Sequence, residues 1–215
     1  MNTIHFIFSD LHTLLTLTYQ HLELVTISLA VAIITAIPIG IVITFNENIA
    51  RKVLNIVGII MTIPSIAMFG MMIPILSLVN QGIGFVPAVC ALILYAQLPI
   101  VRNTYTAIKN VDPNTVEAAL GMGMTRSQIL WEIQLPLSLS LIMGGVRTAA
   151  VMNIGIAAIA AYIGAGGIGI YITRGISTTY DEMVLAGAIA VSVLAIFADF
   201  VLGFLEKALT PRGLK

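Results

Sequence analysis

Charge is what this chain has least of. Acidic and basic residues make up only 9% of its 215 residues, against 59% hydrophobic, and the mean hydropathy is +1.03. So little polar surface excludes a water-soluble globule and places the chain in the membrane class. Ten basic and ten acidic side chains cancel, which argues against a nucleic-acid partner. The single cysteine, Cys90, lies in an apolar run, so no internal disulfide forms. Aromatic residues are 7% of the chain, and no cluster of them in the apolar runs makes a cage for a cation. No Gly-x-x-x-x-Gly-Lys-Ser/Thr loop occurs, so nothing here cradles the phosphates of ATP, and no cofactor is expected on this chain. No nucleophile, base and orienting acid converge, which leaves hydrolytic chemistry without support. The N-terminus lacks the basic start and the small-residue cleavage site of a secretory signal, its first basic residue being Arg51, and is expected to be retained.

What the chain does have is long apolar runs. Nothing ionisable lies between Glu23 and Glu47 or from Val53 to Val101. A helix needs roughly 20 apolar residues to cross a bilayer, so the first run suffices for one crossing and the second for two. The reading is an all-α integral membrane bundle of about five spans, at 25–45, 53–79, 85–101, 137–163 and 183–205. Residues 1–24 read as an external or interfacial segment, 25–207 as the membrane domain and 208–215 as a C-terminal tail. The two glycines of Asn80–Phe85 suit a tight hairpin between spans two and three. Pro38, Pro64 and Pro74 fall inside spans, where each is expected to kink its helix.

Counting Lys and Arg by loop sets the orientation. With the N-terminus outside, Arg51, Lys52, Arg102, Lys109, Arg126, Lys207, Arg212 and Lys215 fall on the cytoplasmic side and Arg174 alone outside. The positive-inside rule then puts the C-terminus and residues 112–136 in the cytoplasm.

That cytoplasmic stretch is the least membrane-like part of the middle of the chain. Asp112-Pro113 reads as an N-cap with proline at the first helical position, followed by Val116, Ala119 and Leu120 on one face. Gly121 and Gly123 end that helix, and Thr125 with Gln128 makes a capping box for a second short helix carrying Ile129, Leu130 and Ile133, which Leu135-Pro136 is expected to stop. Two small helices at an angle suit insertion into a groove on a partner protein; a solvated connecting loop is the alternative.

The residues Glu117, Ala118, Ala119, Gly123, Ile133, Leu135 and Pro136 stand at the spacing Glu-Ala-Ala, three residues, Gly, nine residues, Ile-x-Leu-Pro. In this the chain resembles the permease subunits of ABC importers. Beyond the loop, "IPSIAMFGMMIP", "YAQLPIVRNTYTAI", "GGVRTA", "IGAGGIG" and the closing "LTPRG" are similar to permeases of osmoprotectant importers, which carry glycine betaine, choline, carnitine and related quaternary amines. The resemblance implies that those seven residues form a coupling helix docked on ATP-binding cassette subunits, with Met122 and Met124 as soft packing neighbours. It also implies a second permease subunit, identical or paralogous, and an extracytoplasmic substrate-binding protein, in the bacterial cytoplasmic membrane. An importer of another small solute is the nearest rival. An ion-driven secondary transporter is a further one, but it calls for paired membrane carboxylates and inverted repeats, and the spans hold one Asp and no repeat.

"GAGGIG", Gly164 to Gly169, matches Gly-x-Gly-x-x-Gly, but it follows a membrane helix rather than a strand and is rejected as a dinucleotide site. Gly164, Gly166 and Gly167 read instead as a sharp bend or close backbone approach at an outer gate, or as simple packing. Arg147 and Asp199 are ionisable residues inside spans at similar depth, which leaves two readings open: the two side chains pair with each other, or Arg147 snorkels to the headgroups and Asp199 meets a backbone donor or water. Met152, Asn153 and Tyr162 on span four are candidates to line a path, or are packing. His5, His12 and His21 lack the accompanying ligands of a metal site and read as interfacial polar residues.

Overall fold

A computed structural model describes residues 3–209, and every element among them is helical. A short helix α1 (Thr3–Ser9) leads into α2 (Leu11–Val42). A broken pair follows, α3 (Glu47–Thr62) and α4 (Ser65–Ser77), and then α5 (Phe85–Lys109) and the small α6 (Pro113–Gly121). A single turn α7 (Arg126–Gln128) passes through a π-helical turn, Ile129–Gln134, into α8 (Leu135–Ala157). After a 3₁₀ turn, Ile159–Ile163, the chain closes with α9 (Gly169–Ser177) and α10 (Asp181–Leu209). Among the described residues, four continuous helices are long and apolar enough to cross a membrane, and α3 with α4, bent by 101°, passes the same test only as a pair. The tail from residue 210 on, with Arg212 and Lys215 and most of "LTPRG", lies outside the described residues.

The first crossing begins earlier than expected. Residues 11–24 are not a separate segment but the first turns of α2, with Leu17, His21 and Leu24 buried at i, i+4 and i+7. Glu23, which ends the charge-free run, sits on the exposed face, so one carboxylate did not mark a helix boundary.

The second apolar run is broken rather than kinked. Ile63, the residue before Pro64, is extended (φ −69°, ψ 128°), as the proline ring demands of its predecessor. The Ile63 carbonyl released at the break accepts a 2.5 Å hydrogen bond from the Tyr95 hydroxyl on α5, so the gap leaves no bare acceptor there. Pro38, Pro74 and Pro99 stay within continuous helices.

Helix α5 is the centre of the bundle, packed against α2, α8, α3 and α4. Its Ala88, Ala91, Ala96, Leu92 and Ile100 are wholly buried. Small residues let backbones approach where lipid provides no hydrophobic drive: a Cβ on Gly40 of α2 would stand 2.6 Å from Thr104 Cβ, and one on Gly145 of α8 would stand 2.8 Å from the Pro99 carbonyl. Gln97 adds a polar tie, donating to Thr35 Oγ1 across the α2–α5 contact at 3.0 Å.

Candidate functional site

The 112–136 loop is built from local chemistry. The Asp112 carboxylate accepts from the Asn114 amide at 3.0 Å and caps α6, with Pro113 in its first turn. Gly123 ends the segment with φ +85°, a left-handed conformation that costs glycine nothing. Thr125 and Gln128 form the reciprocal capping box: the Thr125 amide donates to Gln128 Oε1 at 2.8 Å, and the Gln128 amide donates to Thr125 Oγ1 at 3.3 Å.

The seven signature residues divide into two groups. Glu117, Ala118 and Gly123 are exposed, beside the exposed Leu120 and Met122, while Met124 is half-buried. Ala119 is buried, and Ile133, Leu135 and Pro136 are half-buried where the loop returns to the bundle. The expected stop at Pro136 does not occur. The wide π turn before it accommodates a ring that would otherwise strike the carbonyl four residues back, and the helix runs unbroken from Arg126 to Ala157.

Midway along α8, the structure brings Arg147 and Asp199 together. Arg147 Nη2 donates to Asp199 Oδ2 at 2.5 Å, and its Nε donates to Asp199 Oδ1. Glu206 joins from the next turns of α10, its Oε2 accepting from Arg147 Nη1 at 3.5 Å. Gly203 lies between the two acids on one face of α10, and a Cβ there would stand 3.0 Å from Arg147 Nη1. Beside the cluster is a 460 Å³ hollow whose wall includes Gly144, Thr148 and Met152.

Met152 therefore shares a half-exposed face with the ion pair, but Asn153 does not. It is fully buried between α8 and α5, donating to the Leu92 carbonyl at 3.2 Å, and so belongs to the chain's own interior rather than to an open path. Tyr162 is 60% exposed on the 3₁₀ turn.

The glycine loop lies at the end of α8 away from the 112–136 loop. Gly164, Gly166 and Gly167 have φ of +77°, +85° and +81°. The Gly84 amide of the α4–α5 hairpin donates to the Ile163 carbonyl at 2.9 Å on one side. On the other side stands α2: Gln20 Oε1 accepts from the Gly167 amide at 3.1 Å, and His21 Nε2 meets the Ile154 carbonyl at 3.0 Å. Further out, the Tyr171 hydroxyl of α9 donates to Asp10 Oδ2 at 2.5 Å, and Phe6 packs on the rings of Tyr171 and Tyr180. Sequence reasoning passed over Asp10, Gln20 and Glu206 and read His21 as interfacial. The available signal was a polar pair, Gln20-His21, inside an otherwise apolar helical stripe.

A family model, the binding-protein-dependent transport system inner membrane component, matches residues 7–211. The chain belongs to this family. As a permease of this kind it is 47% identical to the osmoprotectant import permease protein OsmW of Salmonella typhimurium over 215 residues, 100% of both chains. It is 41% identical to the carnitine transport permease protein OpuCB of Listeria monocytogenes over 204 residues, 95% of this chain and 91% of the relative. Its fold is that of the methionine ABC transporter MetNI in an inward-facing conformation, with a TM-score of 0.85 at 22% identity, covering 94% of this chain and 99% of the other. The permease is thus an inner-membrane component of a transport system, from a family that is not catalytic.

Proposed function

We propose that this permease forms the translocation path of an ATP-driven importer of quaternary-amine osmoprotectants such as glycine betaine, carnitine and choline. The observation that carries the proposal is its end-to-end likeness to an osmoprotectant import permease, together with names of further relatives that specify carnitine and choline. The chain has no nucleotide-binding loop of its own, so ATP is bound and hydrolysed on separate cassette subunits.

Glu117, Ala118 and Gly123, with the exposed Leu120 and Met122, are the surface those subunits grip, and Ala119, Ile133, Leu135 and Pro136 fasten that surface to the bundle. The coupling loop faces the cytoplasm, and the glycine loop, at the other end of α8, is the gate on the external side, where a binding protein delivers solute. Two permease subunits enclose the path, with Met152 and the Arg147–Asp199 pair on its flank. The pair is half-exposed within the spans, and such charges need protein or water rather than lipid around them.

The test is reconstitution of the permease with its cassette and binding proteins in proteoliposomes. The expected result is ATP-dependent accumulation of at least one of glycine betaine, carnitine or choline, lost together with cassette-subunit association when Gly123 is replaced by a bulky residue. Uphill uptake without any cassette subunit, or no ATP-driven uptake of these solutes, overturns the proposal.

A further inference from the structure

The grip of α2 on the glycine loop has no place in the scheme above. Asp10, at the entry to α2, and the adjacent Gln20 and His21, about three turns further on, reach three different parts of the far end: α9, the loop itself and the last turn of α8. The carbonyls of a helix's last turn lack intrahelical donors, and Ile154 is among them, so His21 supplies what α8 cannot.

These are polar contacts where apolar side chains would serve a purely static joint better. His21 is fully buried and spends only one ring nitrogen, its Nδ1 having no partner among the described residues. The fit is also close: a Cβ on Gly166 would stand 2.7 Å from Gln20 Oε1, and one on Gly167 3.0 Å from His21 Nδ1. Hydrogen bonds to backbone groups can be released and remade with other polar partners, as lost apolar packing cannot. The glycines they hold can change backbone conformation at little steric cost. The same α8 whose end is held by His21 begins at the coupling loop.

We propose that Gln20 and His21 are positioning residues of transport: they clasp the glycine loop and the end of α8 in the closed state, and the clasp opens once per transport cycle. The inference rests on the importer reading and adds to it the device that ties solute passage to the motor.

The test uses the reconstituted complex with the permease in a Cys90→Ala background, which removes this chain's single native thiol. A Cβ built on Gly166 lies 3.8 Å from that of Gln20, the separation of a normal disulfide, so Gln20→Cys with Gly166→Cys can lock the clasp. Oxidation should lower uptake at least tenfold, and dithiothreitol should restore it; uptake by the cross-linked protein equal to that of the reduced form overturns the proposal.

A second arm needs no cross-link and decides the matter if the reduced double variant transports nothing. His21→Leu and Gln20→Ala should raise ATP hydrolysis in the absence of solute several-fold while solute moved per ATP falls, and His21→Gln, which keeps a donor, should restore the ratio. A parallel fall of uptake and hydrolysis with the amount of folded protein means a merely structural contact and overturns the proposal, as does an unchanged ratio. Absence of ATP-driven uptake by the unmodified complex sinks the importer reading itself, whereas normal uptake that survives cross-linking sinks the clasp alone.

Discussion

Arg147 on α8 and Asp199 on α10 meet through two parallel hydrogen bonds, Nε to Oδ1 and Nη2 to Oδ2, a fork-to-fork geometry that fixes the rotation of one helix against the other. Both side chains lie within membrane-crossing helices, where an ion without a partner is costly.

Removing one partner should therefore be worse than exchanging them. Arg147→Gln and Asp199→Asn are each expected to lower the yield of monodisperse protein in detergent and its thermal midpoint. The double exchange Arg147→Asp with Asp199→Arg should recover part of both. If the exchange behaves no better than the worse single variant, the two residues do not act as a pair.

Adjacent glycines on α8 provide their own control. A Cβ at Gly145 would meet the Asn103 side chain at 2.7 Å and the Pro99 carbonyl at 2.8 Å, while nothing lies within 4 Å of one at Gly144. Gly145→Ala is expected to destabilise by about 1–3 kcal/mol, the usual scale of overpacking. Gly144→Ala should leave the fold intact or gain up to about 1 kcal/mol from helix propensity. Thermal midpoints of the two variants side by side decide it.

The capping box predicts a local effect. Thr125→Val removes the acceptor for the Gln128 amide and should cost about 1 kcal/mol of local helix stability. Faster amide hydrogen exchange confined to residues near 126–130, with weaker retention of the cassette subunit, is the expected signature. A uniform increase along α8 would mean that the cap stabilises the whole crossing instead.

The Asp10–Tyr171 contact should respond to pH at both extremes. Hydrogen bonds from Thr13 and then Tyr171 hold the Asp10 carboxyl below its usual range, so its contribution to stability is present above the ordinary aspartate pKa of about 4 and disappears as pH falls through the lower folded value. Burial first, and then the bond to Asp10, pushes the Tyr171 hydroxyl upward, so its contribution is full below about pH 10 and is lost as pH rises through the higher folded value. Tyr171→Phe should lessen, but not abolish, the Asp10-dependent fall in thermal midpoint at low pH, since Thr13 still bonds the carboxylate, and an unchanged pH profile would argue against the contact.

How much of this was legible in the sequence depended on the range of the chemistry. The caps at Asp112 and Thr125 are fixed by neighbours within three residues, so the letters alone specify them. The meeting of Arg147 and Asp199 was inferable because an apolar solvent leaves intramembrane charges few alternatives. The start of α2 was hidden because Glu23 interrupts the hydropathy signal while sitting harmlessly on the exposed face. Burial of Asn153 depends on which side of α8 meets α5, a tertiary fact that periodicity in a mostly apolar helix does not encode. The full break at Pro64 likewise rests on Tyr95, more than thirty positions away, being there to donate to the freed Ile63 carbonyl.

The π turn at Ile129–Gln134 has a mechanical consequence. By widening before Pro136 instead of breaking there, it makes Arg126–Ala157 one 32-residue strut, about 48 Å long at roughly 1.5 Å per residue. A torque applied at its lower tip reaches the upper one directly, so the two faces of the membrane can keep time with each other without a relay of intermediate joints.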